Sequence, residues 1–324
     1  METQKINATR EQRIEQALFR GGDLTLDNPK YRHAATAFFE WLLRDDVAPR
    51  DLTVAALHIK DDRSSAVVLA RESGVAAGLA ELALMLEEYG VDVAFEKRDG
   101  DAIRSGDVLM YAEGAQTQLL ALERVGLNIV QRMSGIATAI RSLQARIQQR
   151  SLTTRIVGTR KTPWGLLDKR ALHLGNGGTH RLGLGDAIVI KNNHLALVAA
   201  REEDAAPLAI QKAWQFRHDS AFIEVEVRGQ DTARAAAQTF RRLQEETAEE
   251  YPCLLMLDNV KPEQISPILN MLRREKLWGH VLIEASGGIS ESNVEEYAAC
   301  GVDAISIGAL THSVRVLDIC QRIS

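Results

Sequence analysis

Residues 253–259 read Cys253-Leu254-Leu255-Met256-Leu257-Asp258-Asn259, an unbroken apolar run closed by a carboxylate and an amide. A strand with one wet face alternates apolar and polar residues, whereas a strand covered on both faces stays apolar throughout. The run therefore predicts an interior strand of a parallel sheet, with its chemistry at the carboxyl end. The same pattern recurs on both sides of it. Upstream lie Arg155 to Thr159, Ala187 to Lys191 and Phe222 to Val227; downstream lie Val281 to Ala285 and Ala304 to Ile307. Helical patterns fall between them at Ala206 to Trp214, Thr232 to Glu249, Pro262 to Arg273 and Ser290 to Cys300. Repeated strand-then-helix units imply a parallel α/β sheet.

Where the polar residues fall favours a barrel over an open doubly wound sheet. The strand ends carry Thr159-Arg160-Lys161-Thr162, Lys191-Asn192-Asn193-His194, Glu224 and Glu226, Asp258-Asn259, Glu284-Ala285-Ser286-Gly287-Gly288, and Ser306-Ile307-Gly308. In a barrel these ends converge on one mouth, where the active sites of that architecture lie.

The first third mixes helices with short strands. Arg10 to Phe19 and Tyr31 to Leu43 read as helices, with turn-like segments at Gly21 to Thr25 and Pro49 to Thr53 flanking the second. Strand patterns follow at Thr53 to Ile59, Ala66 to Arg71, Val91 to Glu96 and Val108 to Glu113, with an amphipathic helix at Gly78 to Tyr89. Asp99 to Gly114 has the texture of a biotinyl or lipoyl carrier, but no acceptor lysine sits on a hairpin between its halves, so a structural sandwich is the better reading. Leu119 to Arg150 is a long helical stretch, with an interruption expected near Ser134-Gly135.

The chain has 324 residues, 45% hydrophobic and 26% charged, with a formal charge of -5. That is the range of an ordinary globular protein with room for two domains. The acidic balance gives no general attraction to nucleic acid or an anionic membrane. Cys253, Cys300 and Cys320 show no metal-ligand spacing, and an odd count argues against a disulfide framework. Met1 to Arg20 lacks the apolar core of a signal peptide, and no apolar run spans a bilayer; a cytoplasmic location is expected.

Against this acidic background stands a basic set: Arg160, Lys161, His180, Arg181 and Lys191. Gathering these cations is unfavourable unless an anion arrives. Guanidinium groups suit carboxylates, and lysines suit phosphates. A solvated basic face is the bland alternative, and His180 alone also fits a satisfied structural histidine. Glu226 and Asp258, on successive strands, suit a bridging Mg²⁺ that keeps most of its water. Glu224, two residues before Glu226, points to the same side one layer deeper and reads as a buried ion-pair partner. The glycines of Ser286-Gly287-Gly288, expected to lead into a helix near Ser290, and of Gly308-Ala309 let backbone N–H groups approach a phosphate.

These segments, in this order, resemble the quinolinate phosphoribosyltransferase family. The likeness runs through Thr159 to Thr162, Thr179-His180-Arg181, Ile190 to His194, Glu224 to Val227, Leu257-Asp258-Asn259, Glu284 to Gly288 and Gly308 to Ser313. Upstream it includes Glu123-Arg124, Leu127-Asn128, Ser134 to Thr138 and Ala70 to Gly74. It implies an α/β chain with an N-terminal α/β sandwich over 1–126 and an incomplete, open α/β barrel over 127–308. A C-terminal helix over 309–324 would lie on the sandwich. The implied reaction moves the phosphoribosyl group of phosphoribosyl pyrophosphate onto quinolinate with loss of carbon dioxide, giving nicotinate mononucleotide. By the same likeness Thr159, Arg160, His180 and Arg181 would hold the dicarboxylate, with Arg124 supplied by the partner of a homodimer. Lys161 and Lys191 would sit between base and phosphates. Glu226 and Asp258 would serve the ribose and Mg²⁺, and Ser286, Gly287, Gly288, Gly308, Ala309 and His312 the phosphates.

Three features depart from the family pattern. The segment Pro163 to Lys169 runs about two residues short, Asn192 stands where aspartate is usual, and a helix-bearing stretch between Asp23 and Asp51 looks inserted, at the surface or against a neighbouring subunit. The first two leave open a relative that uses another base or does not decarboxylate. A phosphate-binding barrel lyase or isomerase would instead need a lone general base or Schiff-base lysine.

Overall fold

The computed structural model of the chain describes residues 8–47, 51–198 and 202–323. In chain order the elements are α1 (Arg10–Leu18), α2 (Pro29–Asp46), α3 (Leu52–Ala56), β1 (Arg63–Ala70), β2 (Gly74–Val75), α4 (Leu79–Glu88), β3 (Asp92–Phe95), β4 (Ala102–Ile103) and β5 (Val108–Ala115). Then come α5 (Gln116–Gln149), β6 (Arg155–Val157), α6 (Leu166–Leu174), β7 (Ile188–Ile190), α7 (Asn192–Val198), α8 (Glu202–Trp214), β8 (Ile223–Val227), α9 (Gln230–Thr247) and β9 (Cys253–Asp258). The last are α10 (Pro262–Arg274), β10 (Leu282–Ser286), α11 (Val294–Ala299), β11 (Ala304–Ser306), α12 (Ala309–His312) and β12 (Ile319–Ile323). They form two compact units: Met1–Arg20, Leu143–Arg160 and Gly178–Ala309 make one; Gly21–Ser142, Lys161–Gly177 and Leu310–Ser324 make the other.

The first unit is the parallel α/β one. Its six strands lie in the order β6-β11-β10-β9-β8-β7. Every pair in it is parallel. The run around Cys253 is an interior strand, flanked by β8 and β10 and buried from Cys253 to Leu257. Inward side chains of Val157, Ala187, Val189, Phe222, Leu254, Met256, Leu282 and Ala304 form one apolar cluster, joined by Ile14, Ala17 and Leu18 of α1. α1 therefore stops one end of the sheet's interior.

β6 and β7 do not pair with each other, so the barrel is open there. Residues 178–181 lie across that opening. Gly178 donates to Ile156 O at 3.0 Å and accepts from Gly158 N at 2.8 Å, beside β6. At the other end Arg181 donates through Nη1 to Ala187 O at 2.9 Å, at the start of β7. A side chain at 178 would not fit, since a Cβ would stand 2.4 Å from Val157 and 3.1 Å from Leu18 O.

In the second unit β12-β1-β5-β3 form an antiparallel sheet. The pairing of β1 with β12 runs from Ala66 opposite Ile323 to Ala70 opposite Ile319. The end of the chain is thus not the helix expected over 309–324. After the four-residue α12 it extends and takes the free edge of β1, where its backbone groups find ladder partners.

Three further expectations are corrected. Thr53 to Ile59 is not a strand: Asp51 Oδ1 accepts from Thr53 N and Val54 N and caps the short α3, so capping overrides the β-branched pattern. Pro49 and Arg50 lie outside the described residues. α5 continues through Ser134-Gly135 unbroken. The small residues there serve close approach: Ser134 Oγ exchanges hydrogen bonds with the backbone of Ala77, and a Cβ at Gly135 would stand 2.3 Å from Arg315 O. Finally, α11 starts at Val294, not near Ser290, because Asn293 folds back to bond Ser290 N and Gly288 O. The inserted-looking stretch is α2, whose Tyr31, Ala35, Phe39 and Leu43 are buried as it packs on α4 and α6 of its own unit.

Candidate active site

Three layers of inward side chains lie along the parallel strands. The lowest is the apolar cluster above α1. The middle one is charged. Glu224 of β8 and Glu284 of β10 are wholly buried, and His180 is 6% exposed. His180 Nε2 stands 3.2 Å from Glu224 Oε2 and 3.2 Å from Glu284 Oε2, at ion-pair distance but without hydrogen-bond alignment. His180 Nδ1 accepts from Arg181 N at 2.8 Å, which turns the Nε2 edge toward the two carboxylates. Its backbone is held at a φ of 54°, a left-handed conformation that a non-glycine residue keeps only when its surroundings impose it.

Burial disfavours a charged His180 ring, but Glu284 and Glu224 outweigh that and lift its pKa to about 9. Burial, then the neighbouring Glu284, raise Glu224 to about 7. Glu224 is thus the buried ion-pair partner expected one layer below Glu226. Glu284 went unassigned in the sequence, although a carboxylate inside an otherwise apolar strand was its signal. These two glutamates with His180 are also a group whose donor atoms lie within 4.8 Å of one another.

The top layer sits at the carboxyl ends of the strands. Lys191 Nζ lies 3.3 Å from Glu226 Oε1. Asn192 donates to Glu226 Oε2 twice, from its backbone at 2.9 Å and its side-chain amide at 3.0 Å, and the same amide reaches Asp258 Oδ2 at 3.4 Å. One amide nitrogen therefore faces both carboxylates. Asn259 Nδ2 donates to Asp258 Oδ1 at 2.9 Å, and Arg228 Nε lies 3.7 Å from Asp258 Oδ2. The bridging by Asn192 and the contact from Arg228 were not foreseen from sequence. Two converging carboxylates form a hard oxygen donor set, which fits a divalent ion sharing its remaining positions with water and substrate oxygens.

Arg160 and Arg181 belong to the same unit. Arg160 is exposed just beyond β6, and Arg181 is 6% exposed. Burial, followed by the nearby positive charge of Arg160, holds the Arg181 guanidinium below its ordinary pKa. Two neighbouring guanidiniums repel each other, and an anion between them relieves that repulsion. Thr159, half-buried, precedes them.

The glycine loops lie on adjacent strands. Gly287 and Gly288 both have positive φ, 92° and 65°. Ser306 donates to Ser286 Oγ at 2.9 Å, tying β11 to the start of the loop, and Asn259 N donates to Ser286 O at 2.8 Å. Gly308 and Ala309 follow β11 and are half-buried.

The other expected residues fall in the antiparallel unit. Arg124 is exposed on α5. His312 is exposed at the end of α12, with Nδ1 2.7 Å from Ser313 Oγ. Lys161 is exposed, and its carbonyl accepts from Thr311 Oγ1 at 2.8 Å. Among the described residues no helix is long and apolar enough to cross a membrane.

Residues 136–321 match the model of the quinolinate phosphoribosyl transferase C-terminal domain, and residues 51–134 that of the N-terminal domain. The chain belongs to the quinolinate phosphoribosyl transferase family. It is 36% identical over 280 residues to the probable carboxylating nicotinate-nucleotide pyrophosphorylase of Methanothermobacter thermautotrophicus, covering 86% of this chain and 95% of that one. The carboxylating nicotinate-nucleotide pyrophosphorylase of Mycobacterium leprae is 39% identical over 262 residues, covering 77% and 82%. Among solved structures, the nicotinate-nucleotide pyrophosphorylase from Francisella tularensis superposes with a TM-score of 0.77 at 27% identity, covering 90% of this chain and 96% of that one. Family membership removes the lyase or isomerase alternative.

Proposed function

We propose that this chain transfers the phosphoribosyl group of phosphoribosyl pyrophosphate to the ring nitrogen of quinolinate. Pyrophosphate and carbon dioxide are released, and nicotinate mononucleotide is formed. The observation that carries the reading is the pair Arg160 and Arg181, close enough for their charges to interact, with Arg181 beside His180 and Glu224 of the buried ion-pair group. A dicarboxylate is the ligand that two guanidiniums hold best, since each carboxylate accepts two parallel N–H donors. The names of the relatives point the same way.

The family resemblance assigns each residue a role that its chemistry fits. Arg160, Arg181 and Thr159 hold the carboxylates of the base; His180, expected beside them, has one ring nitrogen turned to Glu224 and Glu284 and the other accepting from Arg181 N. Lys191 and, by the family resemblance, Lys161 are assigned to the phosphates. As the glycosidic bond to pyrophosphate lengthens, the sugar gains positive charge, which carboxylates stabilise; Glu226 and Asp258 are assigned that role. The backbone around Ser286, Gly287, Gly288, Gly308 and Ala309 takes the 5′-phosphate, and His312 is assigned to the phosphates by the family resemblance alone. Mg²⁺, when bound at Glu226 and Asp258, would neutralise the charge of the pyrophosphate group. Arg124, exposed on α5, serves the pocket of the other subunit in a homodimer, so a full site needs two chains.

The test is direct. Purified protein with Mg²⁺, phosphoribosyl pyrophosphate and quinolinate is expected to form nicotinate mononucleotide and release carbon dioxide in equal amounts. Arg160→Ala is expected to raise the KM for quinolinate by about a hundredfold, the equivalent of roughly 2–3 kcal/mol for a charged hydrogen-bonded contact. Turnover of nicotinic acid but not quinolinate overturns the reading.

A further inference from the structure

The segment after Lys161 departs from the family pattern, and it is held by a clasp of side chains within the antiparallel unit. Trp164 is half-buried. Phe38 of α2 packs against one side of it, with ring centroids 5.0 Å apart at 52°. The guanidinium of Arg132, from α5, lies 4.8 Å from the Trp164 ring centroid. Arg132 is itself fixed: it donates through Nε and Nη2 to both oxygens of the wholly buried Asp168, at 2.8 and 3.0 Å. Asp168 Oδ2 also accepts from Trp164 N at 3.1 Å, so the same carboxylate orders both the arginine and the tryptophan backbone.

The other end of the segment returns to the same arginine. Arg132 Nη2 donates to Thr311 O at 2.7 Å, and Thr311 Oγ1 donates to Lys161 O at 2.8 Å. Lys161, Thr311, Arg132, Asp168 and Trp164 therefore form a closed circuit, with Arg132 tying down both ends of the span from 161 to 164. Gly165 then turns at a φ of 55° into α6, and its N–H closes a turn on Thr162 O at 3.0 Å. A span pinned at both ends has one course, which fixes where the Lys161 side chain leaves the backbone.

We propose that Trp164 is a positioning residue for Lys161: clasped between Phe38 and Arg132, it sets the course of residues 161–165 and through them the place of the Lys161 ammonium. The inference rests on the reading that Lys161 serves the substrate. It assigns α2 a task as well. Its Phe38 is one jaw of the clasp, so the inserted-looking helix acts on Lys161 through a ring contact.

Two readouts test it. The first is a kinetic cycle. Trp164→Ala is expected to lower kcat by about ten- to a hundredfold, as a displaced catalytic group does. In a Lys161→Ala background the same change is expected to cost nothing further, because the group it positions is gone. Trp164→Phe, which keeps a ring between Phe38 and Arg132, is expected to restore most of the rate, and Phe38→Ala to lower it in the same direction by less. Effects of Trp164→Ala and Lys161→Ala that multiply in full, or a Trp164→Ala enzyme with unchanged kcat, overturn the inference. Should Trp164→Ala not fold, Phe38→Ala carries the same cycle. The second readout needs no turnover: acylation of the Lys161 ammonium by a water-soluble reagent, followed by peptide mass spectrometry. Its rate is expected to change in Trp164→Ala and to stay as in wild type in Trp164→Phe; equal rates in all three overturn the clasp. Wild-type protein that makes no nicotinate mononucleotide sinks the functional reading alone, and the labelling experiment still judges the clasp.

Discussion

The side-chain amide of Asn192 donates to Glu226 at 3.0 Å and leans toward Asp258 at 3.4 Å, so a neutral donor stands between the two carboxylates proposed to hold Mg²⁺. Aspartate there would remove the donor and add a third negative charge. Asn192→Asp is therefore expected to lower stability without divalent ion by about 1–3 kcal/mol, the cost of a lost hydrogen bond to a charged group plus like-charge repulsion. With Mg²⁺ the loss should shrink, and the ion concentration giving half-maximal rate should fall. Melting temperatures with and without Mg²⁺, and a rate titration, check both halves. A variant whose stability is equally low at every Mg²⁺ concentration would count against these carboxylates as metal ligands.

The buried ion-pair layer makes the parallel unit sensitive to alkali. His180 is raised to about 9 in the fold, so the stability its charge contributes is complete below its ordinary pKa and is lost as pH climbs through about 9. Glu224 is raised to about 7, so the fold binds its proton more tightly than the unfolded chain does. That also makes stability fall with rising pH, in the window below about 7. Glu284→Gln removes one of the two carboxylates that hold up the His180 charge, and the alkaline limb is expected to move to lower pH. Denaturant midpoints between pH 6 and 10 decide this; coincident alkaline limbs for variant and wild type would show that Glu284 does not act on His180.

Glu81 is a further buried carboxylate, in the antiparallel unit. It is wholly buried, accepts from Tyr31 Oη at 2.7 Å, and lies 3.8 Å from Arg170 Nε. Burial, then Asp99, raise it to about 7. Stability contributed by this unit is expected to decline as pH rises from the ordinary glutamate range to about 7, and Glu81→Gln to flatten that decline. Tyr31→Phe leaves the buried carboxylate without its hydroxyl donor and is expected to cost about 1–3 kcal/mol by chemical denaturation at pH 7.

The fold was legible where one physical force acted alone. The run from Cys253 to Leu257 could only be an interior strand, and the strand-end residues pointed to one mouth because alternate side chains share a face. Legibility failed where local and tertiary forces compete. Thr53 and Val54 look like strand residues until Asp51 caps their N–H groups. Residues 319–323 carry no strong strand pattern, and only the free edge of β1 makes them one. Ser134-Gly135 looks like a break, yet the small residues admit neighbouring backbone to an unbroken helix. In the site, the charged types were readable one by one. Their pairing was not: that Asn192 faces both Glu226 and Asp258, or that Glu284 joins Glu224 around His180, depends on the register between strands, which no single segment encodes.

Gly287 and Gly288 separate two reasons for glycine in a loop proposed to hold phosphate. At Gly287 the φ is 92°, and a Cβ would lie 2.4 Å from Asn259 Oδ1 and 3.0 Å from Asn259 N. Asn259 cannot simply retreat, because its N–H bonds Ser286 O and its side chain donates to Asp258. Gly288 has a φ of 65° with open space where its Cβ would go, so alanine there meets backbone strain alone, on the order of 1–2 kcal/mol. Gly287→Ala must displace Asn259 as well, and through it the Asp258 carboxylate. It is expected to raise the KM for phosphoribosyl pyrophosphate and to lower kcat, whereas Gly288→Ala is expected mainly to raise that KM, by about tenfold, with kcat held within a few-fold. Steady-state rates against phosphoribosyl pyrophosphate at saturating quinolinate separate the two. Equal effects on kcat from both variants would mean that Asn259 does not transmit the crowding at Gly287 to the carboxylate beside it.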